Sequence, residues 1–203
     1  MKKISYNLRI GIVGNKDYNK DIFFENLRDF AIDTKISDEF SEFFIIFKQI
    51  PIRVKIFLAV DLEEIIKNFD KIEKLDAIIL TIDVSDTKSI YQYYKNIIEE
   101  FNDTYYFQGI SILVGIDTSQ IFKKKASKNI RVSRYSLEDM TKYLNLIYCY
   151  EIYNKKGDVA EIYKKIFNDF TFRFRYSSQE LFEKARLYGE TLIREDNKKL
   201  KYF

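Results

Sequence analysis

Short apolar runs alternate with longer amphipathic stretches along most of this chain. The apolar runs have the length and continuity of strands that are buried on both faces. The stretches between them repeat their apolar residues every three to four positions, as helices do. The alternation predicts βαβ units around a mainly parallel sheet with helices on both faces. We therefore expect a three-layer α/β fold.

Two of the apolar runs lie too close together for a helix to connect them. They are 43–50 and 52–60, on either side of Pro51. Because two antiparallel strands need only a short turn, we expect them to form a hairpin that supplies one antiparallel edge strand. The remaining predicted strands are 7–14, 76–84, 110–117 and 149–153, which gives a six-stranded sheet. The predicted helices are 20–30, 61–75, 87–102, 136–148 and 158–170.

The C-terminal part follows a different pattern. Over Phe170–Tyr176, phenylalanine alternates with threonine and arginine, which is the period of an extended segment with one apolar face. Over Ser177–Leu200, apolar residues return at helical spacing, and Ser177 and Glu180 have the spacing of a capping box. The pattern predicts an extended arm followed by an amphipathic helix. Either element packs on the domain or presents a surface to another protein, and the sequence leaves both readings open.

Composition sets the size and the chemical class. The 203 residues suffice for one well-cored domain, which we assign to 1–170, with the arm and helix as an extension over 171–203. The 34 basic and 31 acidic residues are interspersed, so nothing predicts a nucleic-acid partner. The chain has no histidine, and we expect its one cysteine, Cys149, to be a buried free thiol. This excludes disulfides and Cys/His metal sites and fits a reducing compartment.

The termini carry no recognisable targeting signal. The basic N-terminus has no apolar h-region, and no apolar run is long enough to span a bilayer. Lys2 stands where myristoylation needs glycine, and the C-terminus has no prenylatable cysteine. We expect a cytoplasmic protein with no lipid anchor and no transmembrane segment.

The stretch GIVGNKDYNKDIF follows the first predicted strand and has the outline of a phosphate-binding loop. In such a loop, G-x-x-x-x-G-K-[ST], backbone N–H groups turn inward, the lysine neutralises phosphate and the hydroxyl ligates Mg²⁺. Here Gly14 and Lys20 occupy the first-glycine and lysine positions. Asn19 replaces the second glycine, and Asp21 replaces the hydroxyl with a carboxylate that repels polyphosphate.

The order of elements, together with this loop and the stretches IILTIDVSDTKSIYQYYKNIIEEF and SILVGIDTS, resembles the Ras-superfamily small GTPase domain over about residues 7–170. The resemblance implies a P-loop NTPase-like (Ras-like) fold, with the added C-terminal helix lying outside it. It also implies a site for GTP or GDP with Mg²⁺. Several positions of this sequence differ from the residues with which the family builds that site.

The departures fall on the positions that the family uses for phosphate sensing and base reading. Leu58, Asp61 and Leu62 stand where the family has the aspartate, glycine and glutamine that follow its third strand. Asp117 takes the base-reading position only if one residue is deleted from the loop, and its simpler interpretation is a carboxylate at a strand end. The final base-contacting loop has become the bulky segment 152–154.

These observations predict a pseudo-GTPase, a small GTPase-like protein that acts as a protein-interaction module without efficient GTP hydrolysis. We expect no catalytic residue, no metal ligand and no cofactor. The alternative is a divergent nucleotide-binding GTPase that keeps phosphate contacts through Gly14 and Lys20. In that case, the nucleotide-binding residues are Gly14, Asn19, Lys20, Asp21 and Asp117.

Overall fold

The computed structural model describes residues 4–37, 40–67, 75–85, 107–121 and 132–195. Its strands are β1 (Tyr6–Val13), β2 (Asp33–Ile36), β3 (Ser41–Phe47), β4 (Ile50–Ala59), β5 (Ala77–Asp83), β6 (Ile110–Ile116) and β7 (Tyr148–Ile152). Its α-helices are α1 (Lys16–Asn19), α2 (Glu25–Arg28), α3 (Leu62–Lys67), α4 (Thr118–Ile121), α5 (Arg134–Tyr143), α6 (Gly157–Ser177) and α7 (Gln179–Glu195). A π-helical segment, Lys20–Phe24, joins α1 to α2.

The strands form one mostly parallel sheet in the order β2-β3-β4-β1-β5-β6-β7. β1 pairs in parallel with β4 and β5, and the parallel ladder continues through β6 to β7. β3 is antiparallel to both of its neighbours. The α/β class and the mostly parallel sheet are therefore confirmed.

Two details of the predicted sheet are wrong. The described sheet has seven strands instead of six, because the four residues of β2 pair with β3. As a result, the antiparallel strand lies one position in from the edge. Three of the four β2 residues are exposed, so the strand has no apolar pattern that the sequence could reveal.

The antiparallel hairpin is confirmed, but its turn precedes the proline. Lys48 and Gln49 both have positive φ, 47° and 68°, as a two-residue primed turn requires. Pro51 lies inside β4 and pairs with Ile46 of β3. The pairing of β4 with β1 begins only at the next residue, Ile52, so the missing N–H of the proline interrupts no bond on that side.

Two apolar clusters cover the two faces of the sheet. One joins β1, β3 and β4 to the segment 16–28, to α6 and to α7, and includes Phe23, Tyr163 and Phe167. The other joins β4, β5 and β6 to α3 and α5, and includes Leu80 and Leu137. The helices therefore form a layer on each face, as expected for a three-layer α/β protein.

The predicted extended arm over Phe170–Tyr176 is wrong, because α6 runs without a break from Gly157 to Ser177. Phe170 and Phe174 are one helical turn apart and pack together at 4.7 Å between ring centroids. Phe172 points elsewhere and is exposed. The alternation seen in the sequence is thus a coincidence within a helix whose buried residues recur every three to four positions.

The C-terminal helix is confirmed in type and shifted at its start. Ser178, not Ser177, precedes it, and its hydroxyl accepts a 3.4 Å hydrogen bond from the Leu181 N–H. The helix packs on β4 and the preceding turn through Ala185 and Gly189, whereas Leu181 is exposed. Residues 196–203, the predicted helix 87–102 and residues 68–74 of the helix predicted after β4 lie outside the described residues.

Candidate functional site

The carboxyl ends of the central parallel strands are the place where this architecture offers a site. The chain leaves β1 toward β2, β3 and β4 on one side of the sheet, whereas β5 leads to β6 and β7 on the other. In open α/β sheets, ligands bind in the crevice where the direction of the connections reverses. That crevice lies at the ends of β1 and β5, next to Gly14.

Gly14 follows β1 and is held tightly against β5. Its φ of 133° disfavours any other residue, and an added Cβ would lie 2.1 Å from Thr81 Oγ1. The Thr81 hydroxyl donates to the Val13 carbonyl (2.8 Å), and the Gly14 N–H donates to the Ala59 carbonyl (2.9 Å). Gly14 therefore serves a close approach between neighbouring strands, and its N–H is already used within the sheet.

The four residues after Asn15 are helical, which corrects the expectation of a loop before a helix at Lys20. Asn15 caps α1 with its side-chain oxygen, which accepts from the Tyr18 N–H (3.1 Å). The Asn15 carbonyl accepts from the Asn19 N–H (2.9 Å). The backbone donors that a phosphate loop would turn inward therefore form the first turn of a helix.

Lys16 begins this turn and Lys20 directly follows it. Lys16 pairs with the Glu64 carboxylate on α3, and the same carboxylate accepts the Val60 N–H (2.9 Å). Burial by itself raises the pKa of Glu64, but these hydrogen bonds outweigh it and leave the pKa below the ordinary value. Lys20, the predicted phosphate ligand, is an exposed residue at the start of the π-helical segment.

Asn19 and Asp21 lie in opposite environments. Asn19 is fully buried, and within the described structure neither polar atom of its side chain has a hydrogen-bond partner. Asp21 has a side chain that is 56% exposed and lies 4.0 Å from Lys155, which follows β7. The structure therefore does not bring the predicted residues Asn19, Lys20 and Asp21 together on one surface.

Asp117 follows β6 and is almost completely buried. One of its carboxylate oxygens accepts from the Ser119 hydroxyl (2.6 Å) and from the Gln120 N–H (3.1 Å). These are capping bonds at the start of α4. The carboxylate that only the nucleotide-binding alternative assigned to a base is thus used to begin a short helix at the end of β6.

A second polar group at this edge was not foreseen. The Asp83 carboxylate at the end of β5 accepts hydrogen bonds from the Ser85 hydroxyl (2.6 Å) and from the Thr118 hydroxyl. It therefore ties the end of β5 to the start of α4. The sequence signal was an acidic residue at the carboxyl end of each of two consecutive buried strands, because Asp83 ends β5 and Asp117 directly follows β6.

The segment after β4 also has a structural use. The Asp61 carboxylate accepts from the Glu64 N–H (2.8 Å), which caps α3. Leu62 is buried in the apolar cluster that contains α3. Leu58 is partly buried and packs against the other cluster. None of the three side chains is arranged for phosphate chemistry.

Among the described residues, no group of three or more Asp, Glu, Cys or His side chains is arranged to hold a metal ion. Cys149 is a half-buried free thiol, more accessible than expected, and burial raises its pKa.

In the described ranges, no helix is both long and apolar enough to cross a membrane. The chain matches no protein-family model, and no curated protein matches it.

Proposed function

We propose that this protein is a pseudo-GTPase, a Ras-like α/β domain that acts as a protein-interaction module without efficient GTP hydrolysis. One observation carries the proposal: the segment expected to cradle phosphates is a helical turn in which the N–H groups of Tyr18, Asn19 and Lys20 already donate within the turn. Asn15 accepts the N–H groups of both Tyr18 and Asn19. A phosphate group at this position would have to compete with those bonds.

The charges around the turn support the same conclusion. Lys16 is paired with Glu64, and Lys20 is exposed. Phosphate binding gains most from charge-assisted bonds in a protected site, which an exposed lysine does not provide. The Gly14 N–H donates to Ala59, which also weakens the alternative of a divergent nucleotide-binding GTPase.

The base-reading side of the site is likewise engaged in structural bonds. Guanine recognition would require a carboxylate that accepts from the base, and the Asp117 oxygen already accepts from Ser119 and Gln120. Releasing it would uncap α4 at a cost of about 1 kcal/mol. The proposal therefore assigns no cofactor.

The interaction surface that we assign lies on α6 and α7. Phe172 and Tyr176 are exposed on α6, with ring centroids 4.6 Å apart, and Leu181 and Leu187 are exposed on α7. Aromatic side chains beside arginine are typical of residues that dominate protein interfaces. We propose that another protein binds this surface.

The first test is calorimetric titration of nucleotide-stripped protein with GTP, GDP and ATP, each with and without Mg²⁺. We expect no specific binding, and we expect Lys20→Ala to behave as the wild type. The matched control is Lys16→Ala, which removes the other lysine of the same turn. Binding with a Kd in the micromolar range or tighter, lost in Lys20→Ala, would contradict the proposal and favour the nucleotide-binding alternative.

The second test addresses the interaction surface. The variant Phe172→Ala/Tyr176→Ala removes both exposed rings and leaves the buried residues of α6 unchanged, so we expect it to fold. A specific protein that co-purifies with the wild type should be lost from this variant and retained by Tyr135→Ala, which removes an exposed tyrosine from α5. If the wild type and both variants captured the co-purifying protein equally, this surface of α6 would be excluded as its binding site.

A further inference from the structure

β7 ends the described sheet and is more accessible than the strand beside it. All seven residues of β6 are buried, whereas four of the five residues of β7 are only half-buried. Exposed apolar residues lie at both ends of the strand. Ile147 precedes it with 52% of its surface exposed, and Tyr153 follows it with 47% exposed.

The backbone of β7 presents alternate residues to the side on which no described strand pairs with it. The Asp117 N–H donates to the Ile152 carbonyl, so the backbone groups of Ile152 face β6. In a parallel ladder, alternate residues face the same neighbour, so Tyr150 and Tyr148 also face β6. The backbone groups of Cys149 and Glu151 therefore point away from the sheet.

We propose that β7 pairs antiparallel with β7 of a second copy of this chain, around a two-fold axis at Tyr150. In an antiparallel ladder, residues whose backbone groups face the partner must lie opposite each other. The register that places Cys149 opposite Glu151 of the second copy satisfies this rule for both residues at once. This proposal concerns a different surface from the proposed function and does not depend on it.

The side chains are self-complementary in the same register. It places Ile147 opposite Tyr153 of the second copy, and the two-fold axis repeats that pair, so both exposed apolar residues of each copy are covered. The Tyr153 N–H donates to the Asp158 carboxylate (2.8 Å), so Tyr153 contributes its side chain and not a further rung of the ladder. Aromatic and β-branched residues make favourable cross-strand pairs.

The helix α5 extends the apolar surface beside this edge. Its residues Tyr135 and Tyr143 are exposed, and α5 packs in the cluster that Cys149 contacts. Ile147, Cys149 and Tyr153 share one face of the strand by its period of two. The second copy would therefore cover the strand edge together with tyrosines of α5.

The opposite edge of the sheet lacks these properties. β2 has only four residues, and Asp33 and Lys35 place exposed charges on it. Short, charged edge strands are the usual protection against edge-to-edge pairing. From Ile147 to Tyr153, by contrast, Glu151 is the one charged residue. The two edges therefore favour pairing at β7.

Directed disulfide formation tests the register. In a Cys149→Ser background, Tyr150→Cys places two thiols directly opposite each other across the axis. Their Cα atoms would be about 4.5 Å apart, which is within disulfide range. The matched control is Tyr148→Cys on the same face of the strand. Its two copies would be offset by four residues, about 13 Å along the strand, which is too far for a disulfide.

We expect a covalent dimer under mild oxidation from Tyr150→Cys and none from Tyr148→Cys. A monomer from both variants, or equal dimer from both, would overturn the proposed pairing. Sedimentation equilibrium of the unmodified chain should show a reversible dimer. A protein that stays monomeric up to roughly 100 µM would also overturn it.

A surface variant tests the side-chain contacts. Ile147→Lys/Tyr153→Lys brings like charges into the pairs across the axis, and we expect the dimer dissociation constant to rise at least about tenfold. Tyr176→Lys is the control, because it changes an exposed aromatic residue on α6 and should leave the constant unchanged. A dimer insensitive to the double substitution would show that the copies meet elsewhere.

Discussion

At the scale of single residues, Gly14 shows how a position can fit two explanations. Sequence reasoning placed it in a phosphate loop, where glycine lets the backbone approach a ligand. In the structure its positive φ and missing Cβ serve contact with Thr81 on the neighbouring strand. Both explanations require glycine, so its presence alone does not indicate nucleotide binding.

Gly14→Ala should therefore destabilise the fold, with or without any ligand. An added Cβ would overlap Thr81, and alanine does not tolerate the backbone conformation, so we expect a loss of about 2 to 4 kcal/mol in the free energy of unfolding by urea. Gly157→Ala is the control, because an added Cβ there would make an ordinary van der Waals contact of 3.8 Å with the Asn154 side chain. Equal effects of the two substitutions would contradict the strain argument.

Tyr163 is a second residue with a testable role. It is fully buried, its hydroxyl donates to the Phe23 carbonyl (3.2 Å), and burial raises its pKa well above the ordinary 10.0. A pKa raised in the folded state gives stability that is present below pH 10.0 and is lost as the pH rises further. The neutral hydroxyl thus helps to hold the π-helical segment against α6.

Tyr163→Phe should lower the free energy of unfolding by about 1 kcal/mol at neutral pH, through the lost hydrogen bond. It should also reduce the fall in stability that the wild type shows above pH 10.0. Urea unfolding at a series of pH values measures both effects. Tyr176→Phe alters an exposed tyrosine and should change neither quantity, so a similar response from both variants would exclude a specific role for Tyr163.

At the scale of elements, the helix α7 depends on its contact with the sheet. Gly189 lies inside it, where glycine costs an isolated helix about 1 kcal/mol relative to alanine. The structure shows why this position needs glycine. An added Cβ would lie 1.9 Å from the Gln49 carbonyl oxygen in the turn between β3 and β4.

Helix propensity and packing therefore predict opposite effects of Gly189→Ala on the free energy of unfolding. Helix propensity alone predicts stabilisation by about 1 kcal/mol, whereas the clash with the backbone of Gln49 predicts destabilisation. We expect the clash to dominate and to increase amide hydrogen exchange over α7. A variant that is more stable than the wild type would show that α7 does not pack closely on this turn.

At the scale of the whole molecule, the two apolar clusters share one sheet. Phe167 is fully buried in one cluster and Leu137 in the other, on opposite faces. Because β1, β4, β5 and β6 each contribute buried residues to both clusters, we expect the layers to unfold together instead of one after the other.

Phe167→Ala should cost about 3 to 5 kcal/mol and Leu137→Ala about 2 to 5 kcal/mol, because each leaves a cavity in a closely packed layer. Each variant should still show one transition, coincident by far-ultraviolet circular dichroism and by tyrosine fluorescence. Separate transitions in either variant would contradict the shared core.

The class of fold and most of its elements could be predicted from the sequence alone. Mainly apolar runs identified β1, β4, β5 and β6, and the runs of β5 and β6 are nearly continuous because both strands are buried on both faces. The hairpin followed from the short separation of its strands. These inferences succeeded because each depends on residues close together in the chain.

The elements and hydrogen bonds that depend on residues far apart in the chain became visible only in the folded structure. β2 exists because β3 lies beside it, and α6 continues through Phe174 because Tyr6 packs against that ring at 4.3 Å between centroids. The uses of Gly14, Lys16 and Asp117 likewise follow from neighbours that the sequence does not place next to them. A motif records which residue types are present, whereas their hydrogen-bond partners are determined by how the chain packs.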